Sequence, residues 1–334
     1  KDEVLPMFIF DKNILDKLKK DDKRVTFIYE SVLKLKEDLK KSGLNLAIFY
    51  STSKEVFEGF KNQGFDSILC SVDFDDYAKK RDEEIAKIIP MQTFTDSFIT
   101  HPNDCLKADK TPYKVFTPYY NNLKFIWDSY RLEEFKTNKN LKLIPFDFNS
   151  IPTLENMGFI KQTLPDFLQK NPDELLKDFE QKIDNYKIDR DFFDKNATSN
   201  LAVHLRFGLL SPRQIFNKIK VFKARNENKE FFVRELFWRE FYNYILFHFP
   251  KSEVENLNKI DVNWNEDETV FQKWCEGNTG VPIIDAAMRY FKQTGTMHNR
   301  LRMIVSSYLT KNLLVDWKKG EQYFASKLLD YEAS

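Results

Sequence analysis

The hydrophobic period of this chain changes once, and the change limits what it can fold into. From Val4 to about Ile99 short apolar runs alternate with amphipathic stretches; after Pro165 the strand pattern is gone and helical spacing remains. Val4–Phe10, Leu46–Tyr50 and Ser67–Val72 read as buried strands. Between them Val25, Ile28, Val32, Leu35 and Leu39 recur at three- and four-residue steps, which predicts a helix over Arg24–Ser42 that Gly43 stops. Ser53–Asn62, behind a Ser N-cap, and Asp75–Ile89, which runs up to Pro90, read as helices as well. That order of elements predicts a parallel sheet with right-handed crossovers.

Between Pro102 and Pro165 periodicity disappears and prolines recur, so no long helix is expected there. A stretch of this length reads as a connector wrapped over domain surfaces. Beyond it, Asp173–Asn185, Ser211–Ala224, Phe231–Phe247, Ile283–Thr294 and Asn299–Leu314 read as helices. The expected fold class is therefore α/β plus all-α: a Rossmann-like parallel-sheet domain over 1–122, a long connector over 123–165 and an all-helical domain over 166–334. At 334 residues, two domains are the natural division.

Several function classes lose support at once. With 42% hydrophobic residues the chain buries a large core, which excludes disorder and collagen-like structure. No run of about 18 apolar residues occurs, and Lys1–Asp11 lacks the layout of a signal peptide, so the expectation is a cytoplasmic protein without a membrane partner. Cys70, Cys105 and Cys275 form no CxxC pair, which argues against a disulfide framework and against a zinc site. His101, His204, His248 and His298 show no HExxH spacing, and neither GxGxxG nor GxxxxGK[ST] is present. Zinc-hydrolase, hydride-transfer and kinase readings lose their usual basis.

A net charge of +1 gives no global sign of a nucleic-acid partner. Locally, Lys195–Arg225 holds seven basic residues and no acidic one, which suits either phosphate contact or a solvated face. Glu235, Trp238, Arg239 and Tyr242 are spaced to share one helix face while Leu236, Phe237 and Phe241 turn elsewhere. That face is either a ligand surface or an ordinary surface with an i,i+4 ion pair. Asn299, Met303, Ser306 and Thr310 make a second stripe, with Leu301, Ile304, Val305 and Tyr308 on the core side. Thr198-Ser199 before an apolar helix start reads as an N-terminal cap, or as a place where hydroxyls and free N–H groups hold a phosphate.

Four ordered blocks, Arg234–Tyr242 (RELFWREFY), Trp274–Arg289 (WCEGNTGVPIIDAAMR), Met297–Met303 (MHNRLRM) and Lys311–Phe324 (KNLLVDWKKGEQYF), together resemble the flavin-dependent photolyase/cryptochrome family. Tyr113–Asn121 and Tyr186–Arg213 extend the likeness. The resemblance implies an α/β domain, a wrapping connector and a helical FAD-binding domain. It further implies that light drives electron transfer from reduced FAD to a cyclobutane pyrimidine dimer flipped out of DNA. By motif position, Tyr186, Thr198, Ser199, Asn200, Leu201, Ala202 and Phe232 would contact FAD, although Asn200 and Ala202 depart from the family's usual residues. Arg302 with Asp330 would form an ion pair beside the flavin, and Glu332 would also lie there.

The resemblance assigns Glu235, Trp238, Asn299 and Met303 to the lesion pocket. Arg190, Arg239, Tyr242 and Arg300, with Glu235, Trp238 and Asn299, would meet ultraviolet-damaged DNA. Trp264 and Trp317 match the outer and middle members of the family's electron relay. The family's first strand and a C-terminal stretch have no counterpart here, the innermost Trp among them. A second, antenna chromophore such as a folate or deazaflavin, and a monomeric state, are further implications. Two other functional classes stand beside repair: a cryptochrome-type photosensor, and a non-catalytic nucleotide-binding module fused to a helical interaction domain.

Overall fold

The computed structural model describes residues 3–129, 141–256 and 262–332. The remainder of the expected connector, residues 130–140, lies outside them. The chain divides into two compact units, one of residues 1–96 and 133–164 and the other of residues 97–132 and 165–334. The division falls elsewhere than the expected boundaries at 122 and 165, because residues 97–122 pack with the helices.

In the first unit every strand pairing is parallel. β2 (Met7–Asp11) lies beside β3 (Ala47–Ser51), β4 (Ile68–Ser71) beside β5 (Met91–Phe94), and β1 (Glu3–Val4) beside β6 (Lys142–Leu143). The single strand expected over Val4–Phe10 is two, β1 and β2, separated at Leu5-Pro6, since a proline has no N–H to give a ladder. Pro6 still accepts a hydrogen bond from Ala47 through its carbonyl.

The crossovers are helical. After the one-turn α1 (Lys12–Leu15) come α2 (Lys23–Lys41), α3 (Ser53–Asn62) and α4 (Asp76–Ala86). The N-cap of α3 is Thr52, not Ser53: its side chain accepts from the Glu55 N–H and the Glu55 carboxylate accepts from the Thr52 N–H. The buried stripe of α2 is also shifted from the expected one. Leu35 is 49% exposed while Phe27 and Lys36 are buried, and the Lys36 ammonium donates to the Leu46 carbonyl and to Asn45.

The second unit has helices joined by loops and no strand among its described residues: α5 (Phe116–Ser129), α6 (Pro172–Glu180), α7 (Tyr186–Asp189), α8 (Ala202–Arg206), α9 (Pro212–Val221), α10 (Asn226–His248), α11 (Glu268–Glu276), α12 (Pro282–Thr294), α13 (Asn299–Ser307) and α14 (Trp317–Ala325). The helix α5 falls where none was expected. One core gathers Leu123, Trp127, Phe179, Ile215, Ile219, Leu236 and Phe237 from α5, α6, α9 and α10. A second gathers Trp274, Ile284, Met288, Phe291, Val305 and Leu309 around α11 to α13. Ile304, expected on the core side of α13, is 36% exposed.

Charged side chains fix the entry to this unit. Glu240, fully buried on α10, accepts from the N–H groups of Ile99 (2.8 Å) and Thr100 (3.3 Å) and from the Thr100 hydroxyl. Arg239 donates to the Ser97 carbonyl, and Arg213 to those of Phe98 and Ile99. Ser97–Thr100 thus has its backbone groups satisfied by side chains where it has no strand or helix partner. Among the described residues no helix is long and apolar enough to cross a membrane.

Candidate functional site

Helix α10 buries Leu236, Phe237, Glu240, Phe241 and Tyr244 against its neighbours; Glu235, Arg239 and Tyr242 lie off that core, and Trp238 is half-buried against it. The i,i+4 ion pair open to Glu235 and Arg239 is not what they make. Glu235 is hydrogen-bonded by Arg190, at the end of α7. Arg190 also lies 3.7 Å from Asp191; Asp191 accepts from Arg300 at 2.6 and 2.7 Å; and Arg300 approaches the Met303 sulfur at 3.8 Å. A continuous line of contacts thereby joins α10 to α13, with Asn299 and Met303 exposed at its far end. Burial alone would lower the Arg190 value, but Glu235, Tyr186 and Asp191 together outweigh it and hold the guanidinium more firmly protonated.

Beside this line stands an aromatic stack. Trp238 lies on Phe116 with ring centroids 3.5 Å apart and planes 6° from parallel, and Tyr242 follows at 5.6 Å and 25°. One face of Trp238 is therefore covered. Phe116 stands in the first turn of α5, in the Pro102–Pro165 stretch where the sequence carries no clear period.

His298, likewise unassigned, caps α13: its Nδ1 accepts from the Arg300 N–H at 3.1 Å. Burial, with Arg300 and Arg302 close by, lowers its pKa and so disfavours the charged ring; with Nδ1 accepting, the neutral ring carries its proton on Nε2. That atom is buried and meets no acceptor among the described residues.

Three arginines from three helices converge on Asp330–Glu332. Arg302 of α13 reaches both Asp330 carboxylate oxygens at 3.0 and 2.9 Å, Arg206 of α8 donates to the Tyr331 carbonyl at 2.8 Å, and Arg239 of α10 reaches Glu332 at 3.3 Å. Arg239, expected to meet DNA, is instead engaged here and with Ser97.

The Thr198–Ala202 stretch is a tight turn. Asn196 and Asn200 adopt left-handed backbone angles, φ 42° and 56°, which asparagine tolerates better than most residues. The capping expected of Thr198-Ser199 does not occur: Leu201 is the N-cap of α8 and gives no side-chain bond, while the Thr198 hydroxyl turns to Asn200 at 3.3 Å. No described residue accepts from the main-chain N–H groups of Thr198, Ser199 or Leu201. Tyr186 and Phe232 are buried in edge-to-face contact at 5.4 Å.

Part of the basic run is paired by carboxylates outside it: Lys195 by Asp189, Lys218 by Asp173, Arg225 by Asp184 and, at 4.0 Å, Arg206 by Glu332. Trp264 sits next to Asn265, which bonds the Leu313 and Leu314 carbonyls and so brings Trp264 to the turn leading into α14. Trp317 opens that helix and donates to Asn256 at 2.6 Å.

Known proteins resemble this chain in sequence and fold. Residues 1–137 match the DNA photolyase family model and residues 232–334 the FAD binding domain of DNA photolyase. A deoxyribodipyrimidine photo-lyase of Alkalihalophilus pseudofirmus is 33% identical over 329 residues, which cover 92% of this chain and 67% of that one. The chain belongs to the DNA photolyase family. A bacterial class III photolyase structure from Agrobacterium tumefaciens superposes with a TM-score of 0.85 at 28% identity, over 100% of this chain and 72% of that one. A Synechocystis cryptochrome shares the fold at a TM-score of 0.86 and 23% identity, over 99% of this chain and 74% of that one.

The residues present fit the flavin dinucleotide that this family binds. Unclaimed N–H groups in the Thr198–Leu201 turn suit a pyrophosphate, and the buried Nε2–H of His298 is a donor without an acceptor. The Arg302–Asp330 pair supplies fixed charge near His298.

Proposed function

We propose that this chain repairs cyclobutane pyrimidine dimers in DNA with light. When bound, FAD supplies light absorption and electron donation. The protein's own residues bind, orient and stabilise. Thr198, Ser199 and Leu201 would hold the cofactor's phosphates through main-chain N–H groups, with Asn200 and Ala202 shaping the turn. Tyr186 and Phe232 would pack against it, and Arg302, Asp330 and Glu332 would set the charge around it.

The line of contacts from Glu235 through Arg190 and Arg300 to Met303 carries this reading. It sets a carboxylate and a thioether along one edge, with the Asn299 amide exposed beside the thioether and Trp238 one turn along α10 from the carboxylate, and its charges are already balanced within the protein. A pyrimidine dimer is a neutral, polar-edged, apolar-faced ligand, and such an edge suits it better than it suits a bare phosphate. Glu235 and Asn299 would hydrogen-bond the base edges, Trp238 and Met303 would take the apolar faces, and Arg190, Arg300 and Tyr242 would meet the flanking strand. Trp264 and Trp317 would relay electrons toward oxidised cofactor.

The test is blue-light turnover on ultraviolet-irradiated oligo-dT by the full-length protein with chemically reduced flavin, beside a dark control, scored as loss of dimer. Light-dependent loss is expected. Flavin binding with the dimer left intact would overturn repair in favour of a photosensor.

A further inference from the structure

We propose that Phe192 and Phe193 form a stacking rim for an unpaired base next to the flipped lesion. The inference rests on the repair reading above and adds the surface that holds the strand around the pocket.

Both rings belong to the turn that follows Arg190 and Asp191, and each is 48% exposed. Ile188, one turn earlier, is 66% exposed. Large apolar side chains in such number are unusual on a polar turn, and here they adjoin the contact line rather than lying scattered. The Phe193 ring meets His298, the residue before Asn299, edge-on at 6.4 Å, and Asp191 between the two arginines is tied to Arg300. The Lys195 ammonium stands 4.7 Å from the Phe192 ring centroid, leaving the rest of that ring to solvent.

The occupant follows from charge. Arg190 is bonded to Glu235, Arg300 to Asp191 and Lys195 to Asp189, and the whole chain carries only +1, so phosphate attraction is weak at this surface. A strand held here needs uncharged contacts. Exposed aromatic rings interleaved with cations give them, because any nucleobase offers a flat face and the stacking tolerates sequence. A folded protein partner would call for a broader apolar area than these three side chains provide.

The test uses 2-aminopurine placed beside a single dimer in a thymine oligonucleotide, on the 5′ side in one probe and on the 3′ side in another, bound by the full-length flavin-loaded protein. Stacking quenches 2-aminopurine emission. Quenching with one of the two probes is expected for the native protein, with Phe192→Ala or Phe193→Ala restoring emission and weakening binding about tenfold while flavin absorbance stays unchanged. Phe193→Leu, which keeps the apolar bulk, separates stacking from packing: emission should be restored in it too. Native protein that repairs the dimer without quenching either probe, or alanine variants that quench like the native protein, would overturn the rim and leave repair standing. Absence of both repair and lesion binding would overturn the repair reading itself.

Discussion

The Arg302 guanidinium reaches both carboxylate oxygens of Asp330, at 3.0 and 2.9 Å, across 28 residues of sequence. The Asp330 side chain is 8% exposed and that of Arg302 30%, so the pair is largely shielded and each partner depends on the other for its charge. Arg302 also donates to the Met297 carbonyl at 2.8 Å and thereby holds the entry to α13. Asp330→Asn would leave the guanidinium with neutral acceptors only, the new amide oxygen and the Met297 carbonyl. The expected outcome is a loss of about 1–3 kcal/mol in urea unfolding and weaker flavin retention on gel filtration. Unchanged stability and full retention would remove this pair from the cofactor site.

Glu240 predicts a pH dependence. Burial pushes its pKa up to about 7, against hydrogen bonds from Ile99 and Thr100 and the charge of Arg239, all of which favour the carboxylate. A raised folded-state value means that the group's contribution is complete below its ordinary 4.5 and is lost as pH rises through about 7. Between pH 5 and 8 the native protein should therefore lose stability relative to Glu240→Gln, by about 1–3 kcal/mol. Parallel melting-temperature profiles for the two proteins would refute this.

Gly277 closes α11 at φ 67°, and a Cβ added there would lie 2.6 Å from the Asp285 carbonyl oxygen and 2.9 Å from Arg289 Cγ. A backbone oxygen cannot step aside as a side chain can. Gly277→Ala should cost about 2 kcal/mol or more, through the left-handed backbone angle and the clash together. Thermal melts would show it, and a shift of under about 1 °C would mean that the α11–α12 turn relaxes freely.

Much of this architecture was legible in the sequence, and the misses have physical causes. Helix α5 went unread although Phe116, Tyr119, Leu123 and Trp127 carry a helical period, because Pro112 and Pro118 signalled a breaker. Pro118 stands in the first turn, where the missing N–H has no partner to lose. The motif blocks pointed to Glu235, Asn299, Arg300 and Met303; the structure links Glu235 to Arg300 and Met303 through Arg190 and Asp191 and leaves Asn299 exposed without a contact in that line, and no motif shows that Arg190 claims Glu235. Pairings over such separations depend on where α7 docks, and helical spacing says nothing of that. The sequence carries no sign of the His298 cap, because histidine is an uncommon N-cap and no metal-ligand spacing marks it.

The Glu235–Arg190 pair gives a prediction that distinguishes holding DNA from acting on the lesion. Glu235→Gln keeps the shape and a hydrogen-bonding amide but removes the charge that occupies Arg190. Arg190 then becomes available to a phosphate, so affinity for ultraviolet-irradiated DNA should rise at low salt. The slope of log affinity against log salt should steepen by roughly one phosphate contact. Repair per absorbed photon should fall about tenfold or more, because a carboxyl group at the lesion is lost while the strand stays bound. Opposite movement of affinity and yield is the signature. If both fall together, Glu235 acts by positioning Arg190 on DNA; if neither moves, the carboxylate does not face the lesion.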